Sequence, residues 1–175
     1  MRWLWIDRVA EFVPGRRIVA IKHVSMAEEY LRDHFGPDEA GGPGPVMPAS
    51  LIIEGTAQAG GILVGHAEGF REKVVLAKIS KASIEADAPP GATLRYSVEM
   101  TSLGSSGAAT KTQVELAFPG LSNGETFRRV GSVDLVFSHL DRNIAGTDYP
   151  EHNFVFGPAF RTLLDSSGLS HVSGG

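Results

Sequence analysis

The stretch PASLIIEGTAQAGGILVGHA, residues 48–67, has the length and composition of one long buried helix. Pro48 suits the first helical position, because its missing N–H would have no partner there, and Gly69 is a suitable stop. A helix of this length spans about 30 Å, the width of a small domain. It is apolar on nearly every side, so we expect other elements to surround it.

The residues before this helix predict a hairpin, a short helix and a loop. Residues 5–24 read as two strands that meet at the turn pair Pro14-Gly15. Ser25 is suited to cap a short helix over residues 26–33, and Glu28 completes a capping box. Residues 36–45 are rich in Gly and Pro and therefore predict a loop.

Four strand-like segments follow the helix. Turn-forming Pro, Gly and Asn residues separate most of them, and their spacing favours antiparallel neighbours. The segments are residues 74–86, 92–103, 108–118 and 127–139. A sheet with one apolar face must cover something, and the long helix is the only long apolar candidate. We therefore expect an α+β fold with the sheet wrapped around the helix.

The chain divides into residues 1–140, which carry these elements, and an extension over residues 141–175. The first part of the extension, residues 141–153, is polar and rich in turn residues. Residues 154–164 are apolar enough to dock as a short helix, and residues 170–175 are expected to fray.

The composition excludes several classes of protein. Lys and Arg total 16 against 20 Asp and Glu, a net charge of −4 that argues against nucleic acid as the main partner. The chain has no cysteine, which rules out disulfides and thiolate metal sites and fits a cytoplasmic location. Residues 46–65 contain Glu54 and Gln58, which a bilayer penalises, so we expect no membrane span. Residues 1–6 have no long apolar run and no small-residue cleavage site, so we expect no signal peptide.

Glu54 is the first candidate for chemistry. It lies in the helix expected to be most buried, where a carboxyl group either pairs or stays protonated. A protonated buried Glu is a general acid. Gln58, four residues on, shares its helix face and can orient the carboxyl by a hydrogen bond. The alternative is a structural Glu–Gln pair that lines a subunit interface.

Four glycines within the helix are a second unusual feature. Gly55, Gly60, Gly61 and Gly65 each cost about 1 kcal/mol relative to Ala in a helix interior. Such a cost suggests a close approach, either by strands of the enclosing sheet or by an acyl chain. Packing is the simpler explanation for at least two of them.

His34, which precedes the Gly/Pro loop, is no better a candidate on composition than the other five histidines. No phosphate loop, nucleophile elbow or dinucleotide-binding motif is present. No His, Asp or Glu spacing is typical of a metal site.

Three motifs in order resemble the bacterial 3-hydroxyacyl-acyl-carrier-protein dehydratases: His34-Phe35, then residues 45–48 (PVMP), then residues 51–61 (LIIEGTAQAGG). The N-terminal hairpin and the turn at residues 88–91 (APPG) are similar as well. The resemblance covers residues 3–140.

The resemblance implies a hotdog fold, in which an antiparallel sheet curves around the helix. It implies a homodimer, or a trimer of such dimers, that acts on acyl chains bound to acyl carrier protein, with neither cofactor nor metal. In this family the His and the acidic residue come from different subunits, beside a tunnel for the acyl chain. His34 and Glu54 match those two positions.

The resemblance also assigns roles. His34 removes a proton from C2 of a (3R)-hydroxyacyl thioester, and Glu54 protonates the departing C3 hydroxyl, without isomerising the double bond. Ala49, with Ser50, offers free backbone N–H groups at the helix start to the thioester carbonyl. Gln58 and Phe35 complete the predicted substrate-binding residues.

Three features depart from the family pattern. His34 and Glu54 are twenty residues apart, about six more than usual, and the extra residues lie within 36–44. Residues 83–87 (SIEAD) are acidic where the family is basic, so a carrier protein would dock on other cations: Arg71, Lys81, Arg128 or Arg129. The residues after 140 extend past the family's usual end, and the sequence leaves open whether they cover the tunnel, the interface or neither.

Two other functions remain open on the sequence. One is a hotdog thioesterase, in which a carboxylate activates water. The other is a hotdog protein that binds acyl chains or a partner without catalysis. The reaction product distinguishes them: a conjugated enoyl thioester, a free thiol, or neither.

Overall fold

The computed structural model of the protein describes residues 3–32, 44–118, 126–140, 153 and 155–172. The helices and strands of these residues, in chain order, are β1 (Arg8–Val13), β2 (Arg17–His23), α1 (Glu29–Arg32), α2 (Ala49–Ala67), β3 (Val74–Ile84), β4 (Thr93–Gly104), β5 (Gly107–Ala117), β6 (Arg128–His139) and α3 (Pro158–Ser166). A short 3₁₀ turn follows at Ser170–Val172.

The strands of the described residues form one antiparallel sheet in the order β1-β2-β4-β5-β6-β3. Helix α2 packs against β2, β3, β4, β5 and β6, so the sheet curves around it. This is the α+β hotdog arrangement, and the fold expected from the sequence is confirmed.

Strand β3 does not pair with β4, although the two are consecutive in the chain. Strand β4 instead pairs with β2, in a register that runs from Arg17↔Glu99 to His23↔Thr93. With that side of β4 occupied by β2 and the other side by β5, β3 crosses to the far edge and pairs with β6. The expectation that all consecutive segments are neighbours is therefore wrong for β3 and right for β4, β5 and β6.

Helix α2 begins one residue later than the sequence indicated. Pro48 has an extended backbone (φ −56°, ψ 139°) and precedes the helix as its N-cap residue. Its carbonyl accepts the first helical hydrogen bonds, from the N–H groups of Leu51 and Ile52. The helix ends at Ala67, as expected, and Gly69 follows with a φ of +60°.

The glycines of α2 provide room for aromatic rings. A Cβ on Gly55 would lie 2.8 Å from the ring of Tyr96, and one on Gly60 would lie 2.8 Å from the ring of Phe137. A Cβ on Gly65 would overlap the ring of Phe156. Packing therefore explains three of the four glycines.

Helix α1 and the end of the chain differ from expectation. Helix α1 starts at Glu29, because residues 25–28 form a turn in which the Ser25 hydroxyl accepts the N–H of Ala27. The expected helix end at residue 33 lies outside the described residues. The prediction that residues 170–175 fray is wrong for 170–172, where burial of Val172 in the core holds the 3₁₀ turn in place.

The described part of the extension belongs to the same hydrophobic core as the sheet. Its core residues are Phe156, Phe160, Leu163 and Leu164. The Ser167 hydroxyl also accepts the backbone N–H of Val9 on β1, at 2.9 Å. Among the described helices, none is long and apolar enough to cross a membrane.

Candidate active site

Glu54 and Gln58 form a hydrogen-bonded pair on one face of α2. The Gln58 Nε2 group donates to Oε1 of Glu54 at 3.1 Å. Gln58 is buried, whereas Glu54 is only partly buried. The i,i+4 pair expected from the sequence is thus confirmed, and it presents a carboxyl group that is held in place and still accessible.

Gln58 also fastens the N-terminal segment to the helix. Its Oε1 accepts the backbone N–H of Trp5 at 2.8 Å, and its Nε2 donates to the carbonyl of Trp3 at 3.1 Å. Because the amide oxygen is occupied by an N–H donor, the NH₂ group must point toward the two acceptors, Trp3 and Glu54. The orientation of Gln58, and with it that of Glu54, is fixed by the backbone of residues 3–5.

A cleft of about 330 Å³ opens beside this pair. Its polar residues are Glu54 and Gln58, and the others are apolar or glycine: Ala57, Gly61, Val74, Val75, Leu76, Phe137, Val155, Phe156 and Phe160. At about 100° per residue, positions 54, 58 and 61 share one face of the helix, so the cleft follows the helix axis. An apolar cleft with one carboxyl group in its wall suits a chain-like apolar ligand with a polar reacting centre.

Ala49 and Ser50 do not share that cleft. Both are exposed at the start of α2, where a helix has backbone N–H groups without intrahelical acceptors. Ala49 is about 140° around the helix axis from Glu54, and it borders another hollow together with Glu85 and Asp87. Ser50, four residues before Glu54, is only about 40° from it, so within one chain it is Ala49 that faces a different side from the predicted acid.

His34 and Phe35 lie outside the described residues, so their predicted roles stay predictions. The chain that leads to them is anchored by a buried lysine on β2. Lys22 Nζ binds Asp7 at 3.0 Å and Glu28 at 2.6 Å. These ion pairs fix the turn before α1. Helix α1 is the last described element upstream of His34.

The four cations proposed for carrier docking are all exposed, but they do not form one patch. Lys81 and Arg129 line a groove on the sheet face opposite α2, where acidic side chains such as Glu99 and Asp134 are interspersed. Arg71 lies in the turn after α2 and donates to the Glu68 carbonyl. The charged residues that line the same hollow as Ala49 are the exposed Glu85 and Asp87.

The sequence did not single out the aromatic part of the cleft. Phe137 reaches it from β6, and Phe156 and Phe160 reach it from the extension. The apolar character of residues 154–164 did predict a docking helix, but only the fold shows that this segment lines the same cleft as Glu54. No group of three His, Cys, Asp or Glu side chains in the described ranges is arranged to hold a metal ion.

Comparison with known proteins gives a consistent result. Residues 1–121 match the family described as the FabA-like domain. The 3-hydroxyacyl-[acyl-carrier-protein] dehydratase FabZ of Clostridium tetani is 45% identical over 106 residues, which cover 59% of this chain and 70% of that protein. The FabZ of Clostridium kluyveri is 34% identical over 130 residues, which cover 74% of this chain and 86% of that protein.

Solved structures share the fold at much lower identity. A Streptococcus mutans protein, solved with bound acetyl CoA, superposes with a TM-score of 0.57 at 11% identity, covering 79% of this chain and 92% of that one. Identity this low shows a common fold alone. The sequence match over residues 1–121, the two FabZ relatives and the sheet wrapped around α2 lead to one conclusion: the chain belongs to the FabA-like family.

Proposed function

We propose that this protein removes water from (3R)-hydroxyacyl chains carried as thioesters on acyl carrier protein, giving the trans-2-enoyl thioester, in fatty acid or related lipid biosynthesis. The observation that carries the proposal is the Glu54–Gln58 pair at the wall of an apolar cleft. The FabZ relatives are named for this reaction. The activity is that of a hydro-lyase, located in the cytoplasm.

Glu54 is the proposed acid. Its carboxyl proton goes to the C3 hydroxyl, the C3–O bond breaks, and water leaves. Gln58 donates to one carboxyl oxygen, which leaves the other oxygen for the substrate. The apolar lining of the cleft holds the acyl chain and excludes water, so that the proton reaches the leaving hydroxyl.

His34 is the proposed base. It takes a proton from C2, and the electron pair of that C–H bond becomes the C2=C3 double bond as the hydroxyl leaves. Negative charge gathers on the thioester oxygen during this step. Backbone N–H groups of Ala49 and Ser50 at the start of α2 are suited to stabilise it, since a helix N-terminus carries a positive partial charge. The proton on His34 then returns to Glu54 through solvent.

A second copy of the chain is proposed to complete the site. Ala49 and Glu54 line different hollows of one chain, so a substrate that touches both is proposed to lie between two subunits. Strand β3 offers the surface for it: it forms an edge of the sheet, and Leu76 and Ile79 on it are 37% and 47% exposed. An exposed edge strand with apolar side chains favours pairing with another strand. We propose a homodimer through β3, alone or as part of a trimer of dimers.

The experiment is turnover of a 3-hydroxyacyl thioester, followed by enoyl absorbance and free-thiol release together. Wild type is expected to form the enoyl product, and His34→Ala and Glu54→Gln to lose it by at least about a hundredfold, the usual contribution of a general acid or base. Matched controls are His23→Ala and Glu99→Gln, which alter the same residue types outside the cleft and should retain activity.

Each other outcome points to a different function. Thiol release without enoyl product would replace the dehydratase with a thioesterase. If folded protein gives neither enoyl product nor free thiol with several chain lengths, the function is that of a hotdog protein that binds acyl chains without turning them over.

A further inference from the structure

We propose that Phe156 and Phe160, from the extension after residue 140, form the end wall of the Glu54 cleft and set the length of acyl chain that it accepts. This inference rests on the proposed function and deepens it, because it assigns a specificity-determining role to residues outside the dehydratase motifs. The argument depends on where the two rings lie along α2, on how they are held, and on the space behind them.

The rings lie at the end of the cleft farthest from Glu54. The cleft follows α2 from Glu54 to Gly61, and one turn further on the ring of Phe156 packs on Gly65 so closely that a Cβ there would overlap it. Position 65 is eleven steps along the helix from position 54, which is about 16 Å along the axis. An acyl chain whose reacting carbons lie at Glu54 therefore extends along the helix toward Phe156.

The Phe156 ring is held on several sides, so it forms a fixed wall. It packs edge to face on Phe70 with ring centroids 4.9 Å apart, and on Phe160 at 5.7 Å. Its backbone N–H donates to Oδ1 of Asn153. The same Asn153 side chain donates from Nδ2 to the carbonyls of Phe70 and Glu72, at 2.9 and 3.0 Å. Asn153 thus fastens the extension to the turn that follows α2.

A small second cavity shares these two rings with the Glu54 cleft. It measures about 50 Å³, and Ile62, Leu164 and the polar side chains of Asn153 and Arg161 contribute to its lining. Phe156 and Phe160 line both this cavity and the Glu54 cleft. They are therefore the partition between the two spaces, and removing one ring joins them into a longer channel.

The test compares Phe156→Ala with wild type across a series of chain lengths. Binding of saturated hexanoyl-, octanoyl- and dodecanoyl-pantetheine is measured by calorimetry, and turnover of the matching 3-hydroxyacyl-pantetheines is measured in parallel. The preference for dodecanoyl over hexanoyl is expected to rise by about tenfold or more in Phe156→Ala, since each further buried methylene contributes about fourfold in affinity. Phe156→Leu, which keeps more of the packing, is expected to shift the preference in the same direction by less.

Leu163→Ala is the matched control. Leu163 is buried on α3 but lines neither space, so its variant loses packing while the preference for chain length stays that of wild type. If Phe156→Ala does not fold, Phe156→Leu decides. An unchanged preference in the folded Phe156 variants, or an equal shift in Leu163→Ala, overturns the inference. If wild type binds the series but does not turn it over, the dehydratase proposal fails and the binding data still decide the role of Phe156.

Discussion

The backbone of Gly55 lies directly against the ring of Tyr96, so that a Cβ on residue 55 would stand 2.8 Å from the phenol oxygen. Tyr96 is fully buried, so its ring can move aside only by displacing its neighbours in the core. We expect Gly55→Ala to lower the free energy of unfolding by about 1–3 kcal/mol through overpacking, despite the better helix propensity of Ala. Urea denaturation measures the loss.

Gly61→Ala is the comparison, because residue 61 is on the same helix but its Cβ would meet Phe137 only at 4.0 Å. Here Ala is expected to raise the free energy of unfolding by up to about 1 kcal/mol. Equal effects of the two substitutions would contradict the packing argument for Gly55.

Gln58→Met is expected to reduce both stability and turnover. It leaves the Trp5 N–H without its acceptor and removes the donor to Glu54, at a cost of about 1–3 kcal/mol in the free energy of unfolding. Glu54→Gln keeps an acceptor oxygen for Gln58, so we expect a change within about 0.5 kcal/mol. Thermal melts and turnover assays on both variants separate the structural role from the chemical one. Full activity in Gln58→Met would mean that the amide does not orient Glu54.

The Arg95–Glu115 pair predicts how stability depends on pH. The two residues face each other across β4 and β5 with hydrogen bonds of 2.8 and 2.7 Å, and the hydrogen bond from Arg95 lowers the pKa of Glu115. The Glu115 carboxyl has a higher pKa in the unfolded chain than in the folded protein. As the pH falls, the carboxyl is therefore protonated first in the unfolded chain, which favours unfolding. The contribution of the pair is therefore complete above the ordinary Glu pKa of about 4.3 and is lost as the pH falls through the lowered value.

Urea denaturation of wild type and Glu115→Gln across this pH range tests the prediction. The difference in free energy of unfolding between them should shrink as the pH falls. Glu99→Gln alters an exposed carboxylate on the same sheet face and is expected to follow wild type. A constant difference between wild type and Glu115→Gln at every pH would rule out the assigned cause.

The acidic residues near Ala49 predict a weak electrostatic attraction for an acidic carrier protein. Glu85→Lys combined with Asp87→Lys is expected to raise kcat/KM for carrier-bound substrate by about tenfold at low salt, mainly through the association rate. Added salt should remove most of the gain. Turnover of the pantetheine-bound substrate should not change, since it lacks the carrier.

Asp165→Lys is the control for this charge reversal, because it changes an exposed carboxylate on α3 that lies outside the hollow of Ala49, and it should leave both substrates unaffected. An equal gain for carrier-bound and pantetheine-bound substrates would show that the charges at 85 and 87 act on the site itself and not on docking.

The sequence predicted those parts of the protein that depend on local patterns. The apolar run that contains Glu54 gave a helix ending at Ala67, and i,i+4 spacing gave the bond between Glu54 and Gln58. The far-edge position of β3 was not predicted, because alternation identifies a strand but not its neighbour. Nor was the position of the Phe156 ring in the cleft, because it depends on the fit of this ring against Gly65, and neither residue alone indicates that contact.

The Gln58 hydrogen bonds to residues 3–5 have a practical consequence for spectroscopy. Trp3 and Trp5 are the two tryptophans of the chain, and both are attached through their backbones to the residue that holds Glu54. The Trp5 indole also packs edge to face on Tyr30, at 5.3 Å between ring centroids. Intrinsic tryptophan fluorescence of the unlabelled protein therefore reports on the N-terminal segment that holds Gln58, and an emission change that is lost in Gln58→Met can be assigned to the attachment of this segment to α2.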